Sequence, residues 1–274
     1  MTETISFQLG DHLFRESYGE VVALLSSKFG KEYLDLIENS VQESLISAVK
    51  NWPLSGRPKN PKGWLYKVAQ NRLIDYLRKE KRNAAFKGEM AALPYDIHSA
   101  LNVGGNDLLK LLFLTCHPSL KEEDQVALTL KLVCGFSLKE LANVFMLKEK
   151  TIEQRVVRAK TKIKDSKVSF EISSDQPVQK RLKPVLNCIY SLFNHGYLNL
   201  ESHELLTEEV CKEALRINEI LLRDTRFESA KGQALNALFL FQLSRFKART
   251  NSSCLLYTSP SPRDATLSRM PSSA

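Results

Sequence analysis

The chain has 274 residues, 43% of them hydrophobic, with 39 Lys and Arg against 31 Asp and Glu for a formal net charge of +8. That length suits about two domains at roughly 100–200 residues each, and the surplus of positive charge favours a polyanionic partner such as nucleic acid without dictating a fold. There is no apolar run of the ~18 residues that a bilayer span needs, no signal-peptide pattern in MTETISFQLG and no CxxC spacing among the five cysteines, so a membrane span, a disulfide framework and a zinc ribbon lack support and a reducing cytoplasm fits.

Long helical periodicity dominates and alternating β-branched runs are few, so the expected fold class is all-α. The first domain is placed at residues 10–83. It is interrupted by NWPLSGRPKNPKG, whose Pro53, Gly56, Pro58, Pro61 and Gly63 break a helix. Within it, Glu38, Gln42 and Glu43 share an expected exposed face while Ile37, Val41 and Leu45 turn inward.

After that loop comes KGWLYKVAQNRLIDYLRKEKR. Trp64, Leu65, Val68, Leu73, Ile74 and Leu77 supply its core face, and seven basic residues against two acidic ones leave a net charge of +5. A helix carrying amides and arginines beside a Pro/Gly-rich loop can track phosphates and cradle an unstacked base, whereas the plainer alternative is a solvated charged helix. A flexible linker is expected at residues 84–106, containing Pro94, Gly104 and Gly105.

The second domain, residues 107–168, ends in SLKELANVFMLKEKTIEQRVVRAKTKIK, which reads as two short helices around a tight turn. Ser137 and Glu140 make a capping box, and Leu138, Leu141, Ala142 and Phe145 fall on one face, with Lys148 to Lys150 as the turn. In the second helix Ile152, Val156, Ala159 and Ile163 face inward, so Gln154, Arg158 and Thr161 point outward, flanked by Arg155 and Lys162. Such a helix can enter the major groove, Gln pairing with adenine and Arg with guanine while lysines hold phosphates.

Beyond the polar joint SFEISSDQPVQ, a C-terminal helical-repeat-like module is expected at residues 179–249, with Leu182, Val185, Leu186, Ile189, Val210, Leu215, Ile217 and Leu221 as its apolar positions. Residues 250–274, rich in Ser, Thr and Pro, read as a disordered and non-native tail. Cys116 beside His117 is a weak nucleophile-and-base candidate, because neighbours on a helix end diverge and Pro118 stops the helix; the same pair lacks the further ligands a zinc site needs. No catalytic residue, metal or cofactor is expected. Tyr190, Phe193 and Tyr197 are expected to pack the last module.

From Leu13 to Ile163 the chain resembles the extracytoplasmic-function group of bacterial sigma factors: LFRESYGEVVALL and LIENSVQESLISA its polymerase-binding helices, NPKGWLYKVAQNRLIDYLRKEKR its minus-10 reader, and DQVALTLKLVCGFSLKELANVF with TIEQRVVRAKTKI its minus-35 reader. DLLKLLFLTCHPSLKEEDQVALTLKLV and VLNCIYSLFNHGYL are similar to a subgroup with a C-terminal extension like tetratricopeptide repeats. The resemblance implies two helical sigma domains joined by the linker, bacterial core RNA polymerase (its β′ clamp helices and β subunit) and promoter DNA as partners, and an extension that replaces a separate anti-sigma protein.

Carried over by motif, it implies polymerase docking by Glu38, Gln42 and Glu43. It implies minus-10 contacts by Asn60, Lys62, Lys67, Asn71, Arg72, Arg78 and Lys79, with a flipped base lodged in the loop between Trp52 and Gly63. For the minus-35 element it implies Thr151, Gln154, Arg155, Arg158 and Lys162. Asn39 stands where the family commonly has an acidic residue, and so does His195 in LFNHGY. A helix-turn-helix regulator with a C-terminal sensor is the rival reading; it leaves the segments around Glu38 and residues 62–82 without a role.

Overall fold

The computed structural model describes residues 2–83, 97–166, 178–198 and 204–246. Among these, regular structure is helical only: α1 (Thr2–Phe29), α2 (Leu34–Ser55), α3 (Pro61–Asn83), α4 (Ile97–Thr115), α5 (Glu122–Leu132), α6 (Leu138–Phe145), α7 (Glu149–Asp165), α8 (Val178–Leu198), α9 (Glu204–Arg223) and α10 (Ala230–Ser244), with short 3-10 turns at Lys31–Tyr33 and Thr225–Phe227. The all-α expectation is met. The polar joint lies mostly, and the C-terminal tail wholly, outside the described residues.

Two boundaries differ from the sequence reading. Pro53 sits inside the last turns of α2, which runs on until Gly56 takes a positive φ of 81° and stops it. Residues 97–106, expected as linker, form the first half of α4 despite Gly104 and Gly105, while 84–96 lie outside the described residues. Continuation of the helix into the apolar run LLKLLFL, buried from Leu108 through Leu114 except Lys110, outweighs the weak propensity of two glycines.

α1, α2 and α3 pack around Val21, Val22, Leu25, Ile37, Val41, Leu65, Ala69 and Leu73. α5, α6 and α7 enclose Val126, Leu130, Leu141, Ile152, Val156 and Ile163, and α8 with α9 encloses Leu186, Ile189, Val210, Ile217 and Leu221. These groups merge into one core, because α4 lies along α1 and also touches α5, α8 and α9. α1 approaches α5 so closely that a Cβ on Gly19 would overlap the carbonyl oxygen of Val133. Gly135, at a φ of 73°, then turns the chain from α5 toward α6 under the ring of Tyr18.

Arg15 joins the three groups. It pairs with Glu140 of α6 at 2.6 Å and Glu209 of α9 at 3.1 Å, and its guanidinium lies 4.5 Å from the centroid of the Phe136 ring.

Candidate nucleic-acid interface

The capping box forms as the sequence requires: the Ser137 N–H donates to Glu140 Oε2 at 2.7 Å and the Glu140 N–H donates to Ser137 Oγ at 3.2 Å. Burial alone would raise the Glu140 carboxyl, but the bonds from Ser137 and the charge of Arg15 outweigh it and hold the pKa below its ordinary 4.5. α6 ends at Met146, which adopts the left-handed conformation at φ 52°; the turn is therefore Met146 to Lys148, two residues earlier than expected, and α7 begins at Glu149. The Met146 N–H reaches back to the Ala142 and Asn143 carbonyls, closing the helix end.

In α7 Ile152, Val156, Ala159 and Ile163 are buried, and Thr151, Gln154, Arg158, Thr161 and Lys162 are exposed on the other side, as the helical period predicts. Arg155 stands apart. It is turned back onto α5, pairing with Glu123 at 2.8 Å and lying near Asp124, with its guanidinium 5.5 Å from the Phe145 ring centroid. Val157, which the sequence reading passed over, is 53% exposed between Gln154 and Arg158. An apolar side chain there suits the C5-methyl of thymine, and the signal for it was its place on the polar face of the helical wheel.

The second basic segment divides in the same way. Lys67, Asn71 and Lys79 of α3 are exposed. Lys62 pairs with Glu20 of α1 at 3.0 Å, and Arg78 pairs with Asp75 at 3.7 Å within its own helix. Arg72 crosses to α2, donating to Glu43 and, at 2.8 Å, to Ser47 Oγ. Asn60 caps α3 by accepting the Gly63 N–H at 2.9 Å, which fixes the end of the exposed loop from Gly56 to Asn60.

The acidic face of α2 is the largest departure from expectation. Glu38 was expected on an exposed face with Gln42 and Glu43; it is buried, at 5% exposure. Its Oε1 meets Lys131 of α5 at 2.9 Å and accepts from the Gln42 amide at 3.2 Å, while Oε2 accepts from Lys160 of α7. Asp35 holds Lys160 as well, at 2.8 Å. Burial pulls the Lys160 ammonium down, but Glu38 and Asp35 outweigh it and leave the pKa raised above 10.5. Glu43 is half-buried against α3, where the hydrogen bond from Tyr76, with Arg72 in support, holds its carboxyl below 4.5.

The Cys116 and His117 candidate dissolves on geometry. Cys116 points inward toward Thr129 Oγ1, 3.7 Å away, whereas His117 Nδ1 accepts the Ser119 N–H at 3.1 Å. No group of three or more His, Cys, Asp or Glu that could hold a metal exists among the described residues, and no described helix is long and apolar enough to cross a membrane. In the C-terminal module Phe193 stacks on Phe239 at 4.1 Å and near Tyr197 at 5.6 Å, but Tyr190 is exposed rather than packed. His195 donates through Nδ1 to the Ser191 carbonyl at 2.7 Å, and its ring lies 4.8 Å from that of Phe145, so it joins α8 to α6.

Residues 13–83 match the family described as Sigma-70 region 2, residues 110–163 match Sigma-70, region 4, and residues 181–261 match a family of unknown function. The last match continues past Arg249, where the sequence reading ended the C-terminal module. An uncharacterized protein of Rhizobium meliloti (strain 1021) is 36% identical over 223 residues, 79% of this chain and 52% of that relative, so the chain spans about half the length of the curated relative it matches. No solved structure matches.

Proposed function

We propose, because this chain belongs to the sigma-70 family in its extracytoplasmic-function form, that it is an alternative sigma factor: it binds core RNA polymerase and directs initiation at promoters carrying its own minus-35 and minus-10 elements. The observation that carries this reading is the pairing of two separate basic helices, α3 and α7, each on its own apolar base and each matching the corresponding sigma region. A helix-turn-helix regulator needs only the second.

On this reading Gln154, Arg158 and Val157 meet base edges of the minus-35 element, with Thr151 and Lys162 on phosphates. Arg155 acts by positioning α7 against α5. Lys67, Asn71 and Lys79 follow the minus-10 strand, the loop from Gly56 to Asn60 receives an extruded base, and Lys62, Arg72 and Arg78 shape that surface through their acidic partners. Opening the duplex trades stacking, a few kcal/mol per extruded base, for pocket contacts and phosphate neutralisation, and no covalent step is involved. Glu38, Gln42 and Glu43 dock on the β′ clamp helices. The C-terminal module, which shares Arg15 with both sigma domains, takes the place of a separately encoded anti-sigma protein.

The test is run-off transcription with purified bacterial core polymerase on a randomised promoter library. Transcripts sharing two spaced motifs are expected. Tight binding of duplex promoter DNA without polymerase, and no transcripts with it, would favour the regulator instead.

A further inference from the structure

Three features go unused by the function proposed above: an apolar face on α10, a pair of buried thiols, and the seam of ion pairs that Glu38 makes with Lys131 and Lys160. On α10, Leu238, Leu240 and Phe241 are exposed, with no feature that selects an occupant. The Cys116 and Cys188 thiols both approach Thr129, at 3.7 and 3.6 Å, but are fully enclosed and out of an oxidant's reach. The seam carries more.

Glu38 is an acidic side chain on the helix assigned above to polymerase, and buried groups from other helices of this chain already pair with it. One oxygen is taken by Lys131 and Gln42, the other by Lys160. The two lysines are as deeply enclosed, at 6% and 9% exposure, and they come from α5 and α7, the helices that frame the minus-35 reader. Lys31, just before α2, extends the seam by donating to the carbonyls of Ile163, at 3.0 Å, and Ser166 at the end of α7. There the last carbonyls of a helix C-terminus favour a cation.

We infer that the Glu38 face of α2 serves two partners that exclude each other: the chain's own Lys131 and Lys160, which cover it here, and the basic helical partner that it docks on in polymerase, so that docking requires this seam to part. The second half rests on the function proposed above. A carboxylate buried at 5% exposure, with a buried ammonium group on each oxygen, is closed to an outside ligand. The seam is also of a kind that can be exchanged. A buried ion pair gives little net stability over an apolar one, because desolvation offsets attraction, so replacing one set of cations by another costs far less than leaving Glu38 buried alone. Parting the seam also frees α7 from α2, so a single movement uncovers the docking face and releases the minus-35 reader.

The test is lysine footprinting of the whole chain with an N-hydroxysuccinimide ester, read by mass spectrometry, with and without core polymerase; co-elution on size exclusion records binding separately. Lys131 and Lys160 are expected to react slowly in the free chain and at least about tenfold faster in the complex, with exposed Lys67 and Lys79 as internal references. If both stay protected in a chain that co-elutes with polymerase, the inference is overturned while the sigma reading stands. If both react in the free chain as fast as Lys79, the seam is not closed and the inference fails regardless of polymerase. Absence of co-elution removes the docking partner, and with it both readings.

A Lys131→Ala/Lys160→Ala chain that keeps its helical circular dichroism should bind core about tenfold more tightly. Lys31→Ala, at the edge of the seam, should do so to a smaller degree if the double variant fails to fold. Unchanged affinity in a folded variant counts against the seam as a barrier.

Discussion

The ring of Trp64 meets the ring of Trp52 edge-on, with centroids 5.5 Å apart and planes inclined at 66°. One ring stands near the end of α2 and the other near the start of α3, so the pair closes the base of the exposed loop between them. Trp64→Ala removes both the edge-to-face contact and part of the core face of α3. It should lower stability by about 3 kcal/mol, the low end for a tryptophan truncation because the ring is only half-buried. Denaturant unfolding measures this, and binding of minus-10 single-stranded DNA should fall by more than the unfolded fraction accounts for.

Arg158 lies exposed on α7 between the two ends of the reader face. Arg158→Ala should weaken minus-35 binding by about 1–3 kcal/mol at one base pair and relax discrimination there if the guanidinium is bidentate to guanine. Competition binding across single-base promoter variants checks this. A uniform loss on all of them would assign Arg158 to phosphate.

Glu43 is bonded to Tyr76 and Arg72, which changes what its replacement tests. Glu43→Lys sets a like charge against Arg72 and should cost about 1 kcal/mol of stability, the scale of a part-exposed ion pair. Its effect on core binding should be larger than that. Pull-down against core polymerase, alongside thermal unfolding, separates the two, and an unchanged affinity would remove Glu43 from the docking face.

Glu140 is held below its ordinary pKa of 4.5 by Ser137 and Arg15. A carboxyl depressed on folding stabilises the fold fully above its unfolded pKa, and that contribution is lost as pH falls through the lower folded value. Glu140→Gln should therefore melt below the wild type near neutral pH, with the difference shrinking through the acid range below pH 4.5. Thermal melts across pH record the gap, and a gap independent of pH would mean that the capping charge plays no part.

The local features were legible in the sequence because they depend on neighbours a few positions away. Ser137 and Glu140, the buried stripe from Ile152 to Ile163 and the core faces of α3 and α8 all follow from a 100° helical step and a capping rule. What could not be read depends on packing across the chain. Glu38 looks like any exposed acid on an amphipathic helix until Lys131 and Lys160 arrive from residues 93 and 122 positions away, and each of those looks like a solvated cation on its own helix. The turn of Arg155 back onto α5 was hidden for the same reason, since Glu123 belongs to another helix. The early start of α4 escaped because Gly104 and Gly105 signal a break, and only the buried leucines that follow overrule them.

Gly19 gives α1 a side chain of a single hydrogen at the point where it crosses the Val133 carbonyl. Its influence is that of a spacer of zero thickness. A methyl group there would overlap backbone that cannot swing aside, so Ala, Ser or Val at this position would push the first helix away from the end of the fifth and disturb the core that they share. One residue without a side chain thereby fixes how closely two parts of the core approach each other.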